Sequence, residues 1–359
     1  MSMILQPGTD VSGSGQMDAG GGGNGRFMRR CGCALPMQAV LTSVPPAETD
    51  LARGALPGAA IEAEPFGEGT AARHPDARVL CIMIHDEVPV GLLERLPGLQ
   101  ALVTRSDGYD HLPLAWLKDR GIPAFHLEGY ATESVAHLAT MMLIALARRV
   151  PEAAAMTAGR GPAGTGPRWD RSGLVGRHLN ELTVGVLGTG RIGSAVAGTL
   201  TGLGVQVLGH DIAPRADLET LPGFRYAGSL EALLGGSDAL TLHVPLDGST
   251  RGLIDGPALA RMRPGSLLVN TARGGVVDTV AVAGALESGH LAGFAADTLP
   301  GEPDPPDLPR LAAHPNVLLT PHLGAHNHAT LGRRYEVTAR IVHAVLAGRP
   351  TDAAACRVA

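Results

Sequence analysis

The stretch Val184-Gly-Val-Leu-Gly-Thr-Gly-Arg-Ile-Gly193, continuing through Ser194-Ala-Val-Ala-Gly-Thr-Leu200 to Val205-Gln-Val-Leu-Gly-His-Asp211, limits what this chain can fold into more than any other. The apolar run Val184 to Leu187 suits a parallel strand buried on both faces. Gly188 permits a tight turn, Gly190 lets backbone approach a pyrophosphate, and Gly193 lets the next helix pack close to the strand. The N-terminus of that helix offers free N–H groups and a positive dipole end to phosphates. Asp211 ends the following apolar strand 18 positions after Gly193. That is near the ~20-residue spacing at which a carboxylate accepts from the adenosine ribose hydroxyls. A carboxylate there repels a 2′-phosphate, so the pattern favours NAD over NADP.

A chain of 359 residues has room for two domains, each with its own core. Its net charge of −5 argues against a nucleic-acid surface, and its 3% aromatic content against a base-stacking platform. Lys118 is the single lysine among mostly arginine cations, a composition bias more than a functional signal. The four cysteines, Cys31, Cys33, Cys81 and Cys356, form no disulfide framework, and no Cys or His spacing matches a zinc site. Reduced thiols in the cytoplasm are therefore expected. The pair Arg29-Arg30 is no export signal, because the stretch after it is short and broken by Pro36 and Gln38. No apolar run approaches the ~18 residues of a membrane span, so no membrane partner is expected.

Residues 1–36 are Gly- and Ser-rich, without a period of either kind, and read as a disordered leader; Met28 and Met37 are alternative starts. From Met37 the chain alternates. Strands are expected at Gln38–Thr42, Val79–Ile84, Gln100–Thr104 and Ile122–His126, with short helices at Val90–Arg95 and Leu112–Asp119. A long helix at Thr132–Arg149 is apolar nearly all round, which predicts burial on most sides, with Met141 and Met142 as core filling. Arg160–Pro167 is a linker, and Trp169–His178 an irregular cover over the next strand. Six strands follow, at 184–187, 205–211, 239–243, 266–270, 293–297 and 316–320, with helices at Ser229–Leu234, Gly256–Met262 and Thr279–Ser288 between them. The last amphipathic helix, His328–Leu346, is long enough to return to the first domain. Its terminal neighbours 353–359 form a tail.

Arg273, Glu302 and His322 lie at or just beyond the C-terminal ends of strands, where open parallel sheets present ligand-binding groups. Singly, each has a bland reading as a loop cap, a solvated carboxylate or a turn residue. Together they supply an anion clamp, a carboxylate and an imidazole, the set needed to interconvert a 2-keto acid and a 2-hydroxy acid. His322 can move a proton near neutral pH, Glu302 can orient its ring, and Arg273 can bind a carboxylate bidentately. The loop Arg105-Ser-Asp-Gly-Tyr-Asp110 occupies the equivalent position on the first sheet.

From about Gln100 to Pro350 the chain resembles the D-isomer-specific 2-hydroxyacid dehydrogenases. The motifs that carry the resemblance are Thr104-Arg-Ser-Asp-Gly-Tyr-Asp-His111, Ser134-Val-Ala136, Gly188-Thr-Gly-Arg-Ile-Gly193, Leu242-His-Val-Pro245, Val269-Asn-Thr-Ala-Arg-Gly274, Asp297, Glu302-Pro303 and Thr320-Pro-His322. The resemblance implies two doubly wound parallel-sheet α/β domains, a Rossmann NAD domain inserted into a flavodoxin-like substrate domain. The first part of the substrate domain would cover 37–142, the NAD domain 143–324, and the returning helix 325–352. It further implies Arg273 on the substrate carboxylate, His322 as acid/base and Glu302 as its partner. Arg191 and Ile192 would lie at the pyrophosphate, Asp211 on the ribose, and Val244, Pro245 and Thr250 along the adenosine. Thr271, Ala272 and Asp297 would face the nicotinamide, and backbone at Asp107 and Gly108 the substrate. A homodimer is the family's common assembly, and no metal is implied.

The segments Thr104-Arg-Ser106, Thr183–Gly190 and Asn270–Arg273 are most similar to the D-lactate dehydrogenase and vancomycin-resistance branch. Three departures bear on substrate. His137 stands where the family has an acid, Leu299-Pro-Gly301 lacks the usual aromatic and acidic residues, and Leu323-Gly-Ala-His-Asn-His328 lacks the lactate branch's aromatics. A polar pocket carrying His137, His326 or His328 would suit an acid larger or more anionic than pyruvate, phosphono or dicarboxylic. The rival from another class is an NAD(H)-sensing protein similar to the C-terminal-binding-protein corepressors, which share the triad. A phosphite-type dehydrogenase is disfavoured by Asp107, where that group has lysine.

Overall fold

The computed structural model describes residues 38–160 and 166–358. The expectations for residues 1–36, with Cys31 and Cys33, and for most of the 160–167 linker lie outside the described residues.

Two parallel sheets organise the chain. The first holds β1 (Ala39–Leu41), β2 (Ala60–Ile61), β3 (Val79–Ile82), β4 (Ala101–Thr104) and β5 (Ala124–Phe125) in the order β2-β1-β3-β4-β5. The second holds β6 (Thr183–Leu187), β7 (Gln206–His210), β8 (Phe224–Tyr226), β9 (Ala239–Leu242), β10 (Ser266–Asn270), β11 (Leu291–Ala296) and β12 (Val317–Leu319). Its order is β12-β11-β10-β9-β6-β7-β8, with β6 paired to both β7 and β9. Each sheet thus has one place where strand order reverses, between β1 and β3 and between β6 and β9. The loops leaving the carboxyl ends there diverge and open a crevice.

Alternate residues of each strand feed opposite faces, so continuous apolar runs are needed. In β3, Val79 and Cys81 join one core and Leu80 and Ile82 the other. The second sheet is covered likewise. The helices Thr132–Ala147 and Arg191–Gly202 lie on one face, and Leu230–Gly236, Gly256–Arg261 and Thr279–Glu287 on the other. The Thr132–Ala147 helix runs unbroken through residue 142, and its buried side chains from Ala136 onward pack on the second sheet.

Four expectations are corrected. The second sheet has seven strands, not six, because Phe224–Tyr226 adds an edge. The first sheet gains Ala60–Ile61 as an edge strand. Helices at Thr49–Ala55, Glu68–Arg73, Val150–Thr157 and Leu308–Ala312 were also not expected. The Thr132–Ala147 helix is buried on most sides as expected, but not at both methionines. Met142 is sealed but Met141 is 44% exposed, on a stripe with His137 and Ile144 at helical spacing.

The His328–Leu346 helix packs on the first sheet through Tyr335, Ile341, Val342 and Val345. A buried polar network fixes it there. Arg334 Nη2 and Tyr335 Oη donate to the same Glu48 oxygen at 2.8 and 2.7 Å, and the fully buried Arg105 donates to Tyr335 Oη and to the Thr42 carbonyl. Removing one partner of such a buried ionic set costs ~3–5 kcal/mol, since it strands the other charge. Cys81 and Cys356 are free and buried, and burial pushes the Cys81 thiol up to about 12.

Candidate active site

The Gly188–Gly193 turn lies at the reversal point of the second sheet. Gly188 has φ +86°, and a Cβ on it would sit 2.7 Å from the His243 carbonyl oxygen. A Cβ on Gly193 would lie 1.9 Å from the Gly188 oxygen, so the Arg191–Gly202 helix can approach β6 only because that position has no side chain. Above Gly190 a Cβ would meet nothing within 4 Å. The three glycines therefore provide a turn, a close helix–strand contact and an open backbone surface at a helix N-terminus.

Asp211 lies one residue beyond β7. One oxygen accepts from Thr189 N at 2.5 Å and from Thr189 Oγ1 at 3.2 Å, and the other from Ala213 N at 2.9 Å. The carboxylate is thereby locked beside the glycine turn. Arg191 and Ile192 open the helix, and Arg191 pairs with Glu128 across from the other sheet's loops. Val244 and Pro245 follow β9, where Thr250 braces the loop by donating to the Pro245 carbonyl at 2.6 Å and accepting from Asp247 N at 2.9 Å. Thr271 and Ala272 follow β10, and the Thr271 hydroxyl is buried with no hydrogen-bond partner. An open glycine turn, a helix N-terminus, a fixed ribose-distance acid and an orphaned hydroxyl fit a dinucleotide.

On the facing side, Arg273 extends from the loop after β10 to the loop after β4. Its Nε donates to Asp110 Oδ1 at 3.1 Å and its Nη1 to the Ala272 carbonyl at 2.8 Å. Nη2 lies against Gly108, where a Cβ would stand 1.3 Å from it. Gly108 thus seats the guanidinium. Asp107 holds this loop in place, its carboxylate accepting from Gly129 N at 3.1 Å and its carbonyl from His126 Nδ1 at 2.6 Å.

His322 Nδ1 donates to Glu302 Oε2 at 2.8 Å, while Glu302 Oε1 accepts from Leu299 N at 2.9 Å. Burial by itself would raise the Glu302 carboxyl. The His322 hydrogen bond and charge, with the Leu299 N–H, outweigh it and hold the carboxyl below its ordinary value. An ionised Glu302 then fixes the Nδ1–H tautomer and directs Nε2 away from it. Asp297, 2% exposed, accepts from Thr320 Oγ1 (2.5 Å), Leu323 N (2.7 Å) and Gly324 N (2.8 Å). Every one of these bonds goes to the loop that carries His322.

The structure thus brings Arg273, Glu302 and His322 to the cleft with Gly108. It does not bring His137, His326 or His328 there. His137 lines a separate groove with Tyr130, Ser134, Asn327 and Arg333. His326 and His328 are exposed, and among the described residues their side chains make no hydrogen bond, ion pair or ring contact with the triad. Two further residues belong to the cleft, Asp110 from the loop singled out in the sequence without a role of its own, and His85 from outside any motif. Asp110 holds Arg273, and His85, in the turn after β3, stands edge-on to His322 with ring centroids 5.5 Å apart. His85, Glu302 and His322 bring ligand atoms within 4.8 Å of one another.

Residues 140–324 match the family model described as D-isomer specific 2-hydroxyacid dehydrogenase, NAD binding domain. The chain is 36% identical over 278 residues to a glyoxylate reductase of Thermofilum pendens, covering 76% of this chain and 79% of that one. It is 35% identical over 272 residues to an (S)-sulfolactate dehydrogenase of Chromohalobacter salexigens, covering 76% and 85%. Its fold matches D-lactate dehydrogenase from Aquifex aeolicus, solved with NAD and lactic acid, at TM-score 0.81 and 31% identity over 89% of this chain and 98% of that one.

Proposed function

The chain belongs to the D-isomer-specific 2-hydroxyacid dehydrogenase family, and on that premise we propose that Arg273, Glu302 and His322 carry out the reaction of this NAD-dependent oxidoreductase. The reaction interconverts a 2-keto acid and a D-2-hydroxy acid. The observation that carries the assignment is the 2.8 Å Glu302–His322 pair in one cleft with a guanidinium seated on Gly108.

NAD, when bound, supplies hydride exchange with substrate C2. Gly188, Gly190, Arg191, Ile192 and Gly193 would hold its pyrophosphate, Asp211 the ribose, and Val244, Pro245 and Thr250 the adenosine. Thr271, Ala272 and Asp297 would hold the nicotinamide end, with Asp297 acting also as the brace of the His322 loop. Arg273 binds the substrate carboxylate and polarises the C2 carbonyl, assisted by backbone at Asp107 and Gly108. His322 gives a proton from Nε2 to the C2 oxygen during reduction and recovers it during oxidation. Glu302 stabilises the imidazolium and keeps Nε2 on the substrate side.

The acid is larger or more anionic than pyruvate, in keeping with a 323–328 segment that supplies no aromatic wall and with a sulfolactate dehydrogenase among the relatives. The enzyme works as a cytoplasmic homodimer. Met141, Ile144 and Val150, with Trp169 at 97% and Val175 at 84% exposure, form apolar surface on successive segments that a second copy would cover. Light scattering after gel filtration tests the dimer. No nucleic-acid partner is expected, and among the described residues no helix is long and apolar enough to cross a membrane.

Loss of NADH absorbance with a panel of 2-keto acids tests the activity. His322→Ala should abolish turnover with NADH affinity within about threefold, and Arg273→Ala should chiefly lose keto-acid use, each by roughly 10³-fold in kcat/KM. Wild-type rates in both variants would refute the assignment. Tight NADH binding without turnover of any acid would favour a nucleotide sensor.

A further inference from the structure

Resting on that reading of Arg273 and His322, we infer that His85 forms a second-anion subsite, so that the preferred 2-keto acid carries a further anionic group on C3: carboxylate, sulfonate or phosphonate. The place of His85 in the fold is the first argument. It follows β3 where the order of the first sheet reverses between β1 and β3, the crevice at which open parallel sheets take ligands. The second sheet's own reversal point carries the glycine turn, and from the loop after its edge strand β12 His322 reaches across to His85.

The turn that carries His85 is rigid. Its neighbour Asp86 is 2% exposed and accepts from Thr42 Oγ1 at 2.6 Å, from Ser43 Oγ, and from Met83 N at 3.0 Å, while Asp86 N donates to the Met83 carbonyl at 3.0 Å. These bonds tie the loop after β3 to the loop after β1 and leave the adjacent imidazole outermost. That imidazole stands at 87° to the His322 ring, 5.5 Å between centroids, and its residue is exposed. Among the described residues its nitrogens have no hydrogen-bond partner. An acid with its carboxylate on Arg273 and its C2 oxygen at His322 would present the C3 substituent to the wall beside His322, where His85 offers a ring nitrogen alongside Glu302.

Charge explains why a histidine suits this wall. The groups facing His85 are His322 and Glu302 from the second sheet's loops, Arg273 from the loop after β10, His111 from the loop after β4, and Asp86 beside it. Crowding by the cleft walls and the positive His322 and Arg273 outweigh Glu302 and Asp86 and hold the His85 imidazolium below its ordinary value. A neutral ring in that place adds no repulsion to the His322 imidazolium formed in turnover. A dianionic acid adds the negative charge that is missing, and the ring binds it as donor or, after taking a proton, as cation. A fixed Lys or Arg would repel the His322 imidazolium throughout the cycle.

The test compares pyruvate, glyoxylate, oxaloacetate, 3-sulfopyruvate and 3-phosphonopyruvate as NADH-consuming substrates of the full-length enzyme, its His85→Ala and His85→Gln variants. A C3-anionic acid should exceed pyruvate in kcat/KM by roughly 30-fold, and His85→Ala should collapse that preference to within about threefold, mainly through KM. The KM of the dianion relative to pyruvate should rise with pH in the wild type and lose this dependence in His85→Ala; His85→Gln, keeping a neutral donor, should retain part of the preference without it. If pyruvate or glyoxylate is preferred and His85→Ala does not change the ranking, the subsite is refuted while the keto-acid reading stands. An equal loss on all acids would make His85 a support for His322 and also refute the subsite. Folded, NADH-binding protein that reduces no acid would overturn both.

Discussion

Replacing Gly108 by alanine separates catalysis from stability in this site. The added methyl would fall 1.3 Å from Arg273 Nη2, 2.5 Å from Cζ and 3.2 Å from Nε. Non-bonded heavy atoms need ~3.5 Å, so the guanidinium must retreat by about 2 Å. It can, because the obstructing atoms are the end of a flexible side chain and not backbone. The retreat breaks the Nε–Asp110 bond of 3.1 Å between side chains 21% and 31% exposed. A partly solvated pair of this kind contributes about 1 kcal/mol or less, which lowers Tm by roughly 2–4 °C. Catalysis responds differently, since a 1 Å misplacement of a positioning group can cost ~10²-fold. Gly108→Ala should therefore lose roughly 10²–10³-fold in kcat/KM for the keto acid, with NADH affinity within about twofold. Steady-state kinetics, NADH fluorescence titration and a thermal melt read the three quantities. Near-wild-type kcat/KM would show that the seated guanidinium is not the one that binds substrate. A collapse of Tm with loss of NADH binding would show that Gly108 serves the fold instead.

Other perturbations address the remaining parts. Asp211→Ser removes the carboxylate beside the glycine turn, and the NADPH-to-NADH ratio of kcat/KM should rise by roughly 10–100-fold; an unchanged ratio would refute the ribose assignment. Burial lowers His243 to about 3, so between pH 6.5 and that value the unfolded chain binds a proton the native protein does not, and stability falls as pH falls. Part of the residue still reaches solvent, so its contribution to the loss between pH 7 and pH 5 is at most about 2 kcal/mol. Urea unfolding at both pH values should show this component vanish in His243→Leu, and a pH difference identical to wild type would refute it. Zinc ion should inhibit competitively with the keto acid and be reversed by EDTA, because His85, Glu302 and His322 can converge on one cation. Inhibition unaffected by keto-acid concentration would place the ion elsewhere.

The strands read most directly from sequence are those buried on both faces. Val184–Leu187 and Ser266–Asn270 are continuous apolar runs because helices cover each side of the sheet, and such runs stand out against polar loops. Ala60–Ile61 and Phe224–Tyr226 are short edge strands without such a run, the second being split by the exposed Arg225. Arg273, Glu302 and His322 were legible since each lies in a local pattern at a strand end. The pairing of Asp110 with Arg273, and His85 altogether, were not. Their partners are 163 positions away in one case and on the other sheet in the second, so no local window contains both members of either pair. His137 misled for the complementary reason. Its departure from a familiar pattern was visible, but the face of the Thr132–Ala147 helix it occupies was set by tertiary packing.

His322 shows how the fold holds a reactive group against a local cost. Its φ of +55° is a left-handed conformation that a non-glycine residue adopts at a cost of ~1–3 kcal/mol. Asp297 offsets that cost. His322 N donates to the Asp297 carbonyl at 2.9 Å, and the Asp297 carboxylate collects Thr320, Leu323 N and Gly324 N from both sides of the histidine. Burial raises Asp297 above its ordinary value despite these donors, a sign that desolvation outweighs them. The buried acid thus bends the loop, and Glu302 then fixes the ring. Backbone direction comes from one carboxylate and side-chain orientation from another. On the proposed mechanism, separating the two tasks leaves Glu302 free to stabilise charge on His322 without also having to hold the loop. That division matters in a cleft where Arg273 and His85 come from opposite loops and only a well-fixed imidazole can face both.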